Sequence, residues 1–235
     1  MTTLAVLQPG YLPWLGYFEL MRSADVFVAY DDVQFDKHGW RNRNRIKCAN
    51  GLQWLTVPVR HHGLGRPRIL DVEIDTTKAW ARKHVVSIRQ CYAGAPHLEP
   101  YVSELEEMLD RPWERLVDLD LAAAGLLATW LGVGTPVVRS SELGVTGSRN
   151  ERLVALCRAL GADRYRSGDA ARDYLDLELF ERSGIAVDWQ NLDHPTYPQQ
   201  HGTFVSHLSA LDMILNCGDE SPAVLALAAT GTTPT

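Results

Sequence analysis

Apolar positions open the chain as a short run, Leu4 to Leu7, that stops at Gln8-Pro9-Gly10. A run of that length bounded by turn residues reads as a buried strand. Pro13 followed by Trp14, Leu15, Tyr17, Phe18, Leu20 and Met21 predicts a helix packed on that strand, and Asp25 to Tyr30 a second strand. Strand, helix and strand within about thirty residues call for a right-handed crossover and a parallel sheet. Short alternating runs then follow at Val33–Phe35, Arg45–Lys47 and Leu52–Val59, as in antiparallel strands, with Asn50-Gly51 as a two-residue hairpin turn. His61 to Arg68 reads as a mobile loop over a site.

From Thr76 to about Val133 the spacing turns helical and accommodates three helices. After it the strand pattern returns at Pro136–Ser140, Arg164–Ser167 and Ile185–Gln190, alternating with helices expected over Ser148–Leu160, Asp169–Arg182 and Phe204–Leu215. The fold class is therefore α/β: a mostly parallel sheet with βα units at both ends, a short antiparallel segment and a central helical insertion over about 76–133. One domain is expected over 1–220, with a partly flexible tail at 221–235.

Composition narrows the function. A net charge of −6 with 23 Lys and Arg against 29 Asp and Glu disfavours a broad nucleic-acid surface, which needs clustered cations. The first residues lack a basic leader, and the stretch 121–134 is too short to span a bilayer, so a cytoplasmic protein without a membrane segment is expected. Cys48, Cys91, Cys157 and Cys217 show no C-x-x-C spacing and read as reduced packing residues.

Four polar segments stand where the pattern ends a strand. The first, Gln8 to Tyr17, joins the first strand to a helix whose free N–H groups favour anions; Gln8, Tyr11, Trp14 and Tyr17 are its candidate substrate-binding residues. The second follows the second strand. Its adjacent carboxylates, Asp31 and Asp32, suit a metal or a substrate ammonium group, and Arg41, Arg43 and Arg45, spaced two apart, share a face if extended and grip phosphate or carboxylate; Gln34, Asn42 and Asn44 accompany them. The plainer alternative pairs the two aspartates with those arginines. The third, Ser167-Gly168 with Arg172, offers an anion site or a local Asp169–Arg172 ion pair. The fourth places His194, Tyr197, Gln199 and His201 on a proline-held loop, His194 being the candidate general base. Ser209, Asp212 and Asn216 make a polar stripe on the last helix, expected to face the site or to cap the preceding loop. Asp31, Asp32, His38, His194 and His201 could ligate a metal, but no H-E-x-x-H or H-x-H spacing supports one.

The runs QPGYLPWLGYFE, DDVQFDKHGWRNRNRIK and QWLTVPV, with the later SRNERLVALCRALGADRYRSGDAARDYLD, FERSGIAVDWQNLDHPTYPQQHGTF and LSALDMILNCG, resemble the WbqC-like family over Leu4 to about Gly218. The resemblance implies a small-molecule enzyme of surface-polysaccharide or secondary-product assembly. Group transfer is favoured, glycyl or other aminoacyl transfer to an amino group, with an acyl donor or carrier protein as partner. Two alternatives follow: a nucleotide-dependent ligase or nucleotidyltransferase, whose opening strand, loop and helix this chain loosely resembles although Tyr17 stands where those have histidine; and a non-catalytic scaffold protein. The motifs specify neither a cofactor nor an oligomeric state.

Overall fold

The computed structural model describes residues 1–36, 39–60 and 65–228. Its centre is a parallel sheet whose strands are β1 (Thr3–Leu7), β2 (Val26–Ala29), β7 (Val137–Arg139), β8 (Arg164–Gly168) and β9 (Ala186–Gln190), ordered β7-β2-β1-β8-β9. Leu4 lies beside Val26 on one side, and Thr3 beside Arg164 on the other. β1 is thus central, with the earlier strands β2 and β7 on one side and the later strands β8 and β9 on the other.

Period-two alternation sends the strand side chains to two cores. Leu4, Val6 and Val28 face α5 (Arg149–Ala159) and α6 (Leu177–Arg182), whereas Ala5 and Phe27 face α1 (Leu15–Arg22) and everything packed behind it. α1 is buried from Leu15 through Met21 because it is enclosed between the sheet and an added helical layer. That layer comprises α2 (Trp80–Cys91), α3 (Leu98–Leu109) and α4 (Leu116–Trp130), inserted between β2 and β7, together with α7 (Ala210–Cys217) and α8 (Ser221–Leu227). Two small antiparallel pairs, β3 (Arg43–Cys48) with β4 (Gly51–Thr56) and β5 (Val59–Arg60) with β6 (Glu73–Ile74), link the insertion to the sheet.

Several expectations are corrected. Val33–Phe35 is not a strand; a single bridge joins Gln34 to Arg68. Cys48 pairs with Gly51, so the hairpin turns at Ala49-Asn50 and Gly51, at φ +117°, starts β4. The predicted helix over 169–182 reduces to a 3-10 turn at Asp169–Ala171 and α6, because Asp176 caps a new start by accepting from the Leu179 N–H at 3.0 Å. The last predicted helix begins at Ala210, capped by Ser209, and the tail contains α8 through Leu227, with Pro222 in its first turn. Cys48 and Cys91 are not free thiols: a disulfide joins β3 to α2, while Cys157 and Cys217 remain free and buried. Residues 61–64 of the anticipated loop, and His38, lie outside the described residues. No helix among those described is long and apolar enough to cross a membrane.

Candidate functional site

The loop between β1 and α1 is fixed by backbone groups from distant segments. Arg41 Nη1 donates to the Gln8 and Pro9 carbonyls at 2.9 and 2.8 Å, and the Tyr11 N–H returns a bond to the Arg41 carbonyl at 2.9 Å. Asn44 Nδ2 donates to the Leu12 carbonyl at 2.7 Å, where Leu12 has a left-handed φ of 44°. The Ala210 N–H donates to the Pro13 carbonyl at 2.8 Å, and the Ser209 N–H to the Arg45 carbonyl at 3.0 Å. Three segments far apart in sequence therefore meet at the carboxyl end of β1.

They enclose a cavity of about 280 Å³ lined by Leu7, Gln8, Gly10, Pro13, Trp14, Tyr17, Trp40, Arg41, Asn44 and His207. Two glycines are required for its shape. A Cβ on Gly10 would stand 2.9 Å from the Trp40 carbonyl oxygen, and one on Gly16 only 2.3 Å from the Trp14 ring. Gln8, Trp14, Tyr17, Arg41 and Asn44 were legible as candidates, whereas Trp40 and His207 were missed.

One wall is aromatic and cationic. Trp40 and Trp54 are exposed, with ring centroids 5.2 Å apart, and the Arg43 guanidinium lies 4.5 Å from the Trp54 centroid. Arg45 sits 5.2 Å from the Trp40 ring and 5.6 Å from that of Trp54. Arg43 and Arg45 share a face of β3, two residues apart as the strand requires. Arg41 precedes β3 and turns inward, so the three arginines do not form the single row expected of an extended segment.

Among the histidines, His207 lines the cavity and His194 stands behind it. His194 Nδ1 is 3.0 Å from the Pro195 carbonyl, and its Nε2 accepts from the His207 N–H at 3.2 Å. This describes a neutral ring protonated at Nδ1 with its acceptor nitrogen engaged. Burial, together with nearby His207, outweighs the Pro195 bond and lowers its pKa. His207 is the ring that lines the cavity. It has a left-handed φ of 59°, stacks on Trp14 at 4.9 Å, and has Nδ1 2.7 Å from Ser206 Oγ. His201 Nε2 is engaged 2.7 Å from the Cys91 carbonyl.

Beside the cavity lie several buried polar atoms of ionisable side chains without hydrogen-bond partners among the described residues. Asp120 of α4 is fully buried, and among the described residues neither carboxylate oxygen has a partner; nor do the Tyr17 hydroxyl and Arg41 Nε. Burial pushes the Asp120 carboxyl well up despite the opposing attraction of Arg41, and pushes the Tyr17 hydroxyl up, with Asp120 adding to it.

The other candidates hold the framework. Asp31 is fully buried and accepts from Arg139 Nε at 2.7 Å, Ser140 Oγ at 3.1 Å, and the Ser141 N–H and Oγ at 3.0 and 2.8 Å. Burial raises its pKa, but the bonds from Arg139 and Ser141 together outweigh that and hold it below the ordinary carboxylate value. Asp32 accepts from Ser140 Oγ at 2.6 Å and pairs with Arg152. The aspartates thus tie the end of β2 to the segment after β7, using arginines other than the three anticipated. Gln34 is exposed on its bridge, Tyr11 bonds His84 behind the loop, and Asn42 Nδ2 donates to the Val57 carbonyl. Ser167 is buried in β8 beside Gly168, and Arg172 makes the local ion pair with Asp169 at 2.9 Å while lying 4.5 Å from the Trp189 ring. Tyr197 and Gln199 donate to Asp212, at 2.8 and 2.6 Å, within a buried network that also contains Tyr92 and Lys47. Among the described residues, no three His, Cys, Asp or Glu side chains are grouped to hold a metal ion.

No solved structure matches the chain. A curated relative, the uncharacterized protein Rv1507c of Mycobacterium tuberculosis, is 36% identical over 227 residues, covering 96% of this chain and 98% of that protein. The family model of the WbqC-like protein family matches residues 8–224, through the β1–α1 loop and every cavity-lining residue except Leu7, and the chain belongs to that family.

Proposed function

We propose that this protein is a small-molecule group-transfer enzyme that moves an acyl or aminoacyl group onto the amino group of a ring-shaped acceptor in the cavity beyond β1. The observation that carries the reading is the convergence of Gln8, Trp14, Arg41, Asn44, Trp40 and His207 on that one cavity. A rigid loop, an exposed aromatic face, a cation and an imidazole are what acceptor binding and proton transfer require.

In this reading the acceptor ring lies against Trp40 and Trp54, and Arg43 and Arg45 attract an anionic substituent. His207 takes the proton from the attacking amine and returns it to the leaving group as the donor's acyl bond breaks and the amide bond forms. Gln8, whose side-chain amide has no hydrogen-bond partner among the described residues, donates to the carbonyl oxygen as negative charge develops there. Asp31, Asp32 and His194 are positioning residues, since their hydrogen-bonding groups are already engaged.

The test is mass-spectrometric detection of amide product from amino-sugar acceptors and activated acyl or aminoacyl donors, using wild-type protein, His207→Ala and Trp40→Ala. Loss of about 10²- to 10⁴-fold in turnover is expected for His207→Ala, with a raised KM for Trp40→Ala. Unchanged turnover in His207→Ala would remove the proposed base.

A further inference from the structure

A second cavity, of about 450 Å³, lies across the carboxyl end of β1 from the first and shares Leu7 and Gln8 with it. The first cavity is bordered by α1 and the second by α5, so the two occupy opposite faces of the sheet at one strand end. That strand is where the strand order turns, with β2 on one side and β8 on the other. In open parallel sheets, this crevice is where ligands bind.

The lining has a definite chemistry. Arg149 supplies its only charged side chain; it is exposed, holds a left-handed φ of 44° at the first position of α5, and has no carboxylate partner among the described residues. Asp32, two residues after the cavity-lining Tyr30, is already paired with Arg152, which lies 5.1 Å from the Tyr30 ring. Local repulsion of an anion is thereby reduced. Asn150 Nδ2 donates to the Tyr174 carbonyl at 3.0 Å, while its Oδ1, itself buried, has no partner among the described residues and suits a ligand hydroxyl. Tyr174 is 66% exposed and presents a ring, with Tyr30 and Tyr165 completing the aromatic lining. The Ser148 side chain turns to Glu151 at 3.2 Å and makes no hydrogen bond to the first-turn amides of α5.

A cation, an unpartnered acceptor and aromatic faces fit a ligand that combines negative charge, hydroxyl groups and a flat ring. We propose that the second cavity binds a nucleoside phosphate, the portion of the group donor that is not transferred, with Gln8 at the junction of the two cavities. This inference rests on the transfer reading for the ligand's role but not for its binding.

The experiment is isothermal titration of the full chain with adenosine, guanosine, cytidine and uridine diphosphates and with pyrophosphate. Wild type is compared with Arg149→Ala, Tyr174→Ala and His207→Ala, each checked by thermal melting. Binding of at least one nucleoside diphosphate is expected, weakened tenfold or more in Arg149→Ala and Tyr174→Ala and within twofold of wild type in His207→Ala. The proposal is overturned if no nucleoside diphosphate binds wild type, if neither cavity variant weakens binding, or if pyrophosphate binds as tightly as the nucleotide. Nucleotide binding without any acyl transfer would refute the transfer reading alone; transfer without nucleotide binding would refute the second site alone.

Discussion

Replacing Asp212 with Asn should both destabilise the protein and loosen the segment that presents His207. The carboxylate is fully buried on α7 and accepts from Tyr92 Oη at 2.7 Å, Tyr197 Oη at 2.8 Å and Gln199 Nε2 at 2.6 Å. Gln199 Oε1 in turn accepts from Lys47 Nζ at 2.9 Å and the Val205 N–H at 2.9 Å, which ties the loop at Val205 and strand β3 to that one carboxylate. Hydrogen bonds to a charged acceptor contribute about 1.5–3 kcal/mol each. The Asn amide retains one acceptor oxygen and turns an NH2 toward donors, so about 3–5 kcal/mol should be lost rather than the sum of three bonds. With an m-value near the upper end of about 1–3 kcal/mol/M, the urea midpoint should fall by about 1 M or more. Hydrogen exchange supplies the local readout: the Val205 and Ser209 amides should lose protection by more than the global change. A midpoint shift below about 0.3 M, corresponding to less than about 1 kcal/mol, would refute the view that this network holds the loop.

Three further outcomes follow from the geometry. The Cys48–Cys91 bond closes a 43-residue separation, for which chain entropy gives about 4 kcal/mol. The Cys48→Ala/Cys91→Ala double variant should unfold at clearly lower temperature, and alkylation of four thiols in unreduced, denatured wild type would refute the bond. Gly16→Ala should lose about 1–3 kcal/mol by overpacking against the Trp14 ring, measured by chemical denaturation. Gly125→Ala on α4 is the matched control: its added methyl meets nothing within 4 Å, so stability should hold or rise by up to about 1 kcal/mol. Burial pulls the His84 pKa down to about 4 from its ordinary 6.5, against a raising bond to the Thr56 backbone. Folded His84 therefore refuses a proton that the unfolded chain accepts: its contribution is full above about pH 6.5 and falls toward pH 4, by about 3 kcal/mol in all. Stability measured across that window should fall less steeply in His84→Gln, and identical slopes would refute the assignment.

The parallel core was legible because strands covered on both faces carry nearly uninterrupted apolar runs, as Leu4–Leu7 does. The β1–α1 loop was legible for a related reason: Pro9, Gly10, Pro13 and Gly16 are shape-determining residues at a strand end. Contacts between distant residues were not. Asp31 meets Arg139 across 108 positions and Asp32 meets Arg152 across 120, so local charge spacing selected the wrong arginines. Cys48 and Cys91 gave no spacing motif because the hairpin and α2 bring them together only in three dimensions. His207 was absorbed into a predicted helix; the signal available was Ser209, whose capping oxygen starts α7 two residues later and leaves His207 free to take a left-handed backbone. Asp176 was a similar cap inside another helical prediction. Pro222, at the start of α8, was a helix signal in a segment read as a tail.

The central position of β1 also dictates the order in which the protein can be assembled during synthesis. Its partner β2 emerges about twenty residues later, but its other partner, β8, begins at Arg164, after the whole helical insertion has been made. Until then one edge of β1 is unsatisfied, and the segment bearing His207 has not yet been translated. A ribosome-bound chain stalled before β8 therefore holds three of the five strands and neither complete cavity, and both cavities wait on the long-range closure of β1 against β8, the first of them also on the later segment that carries His207.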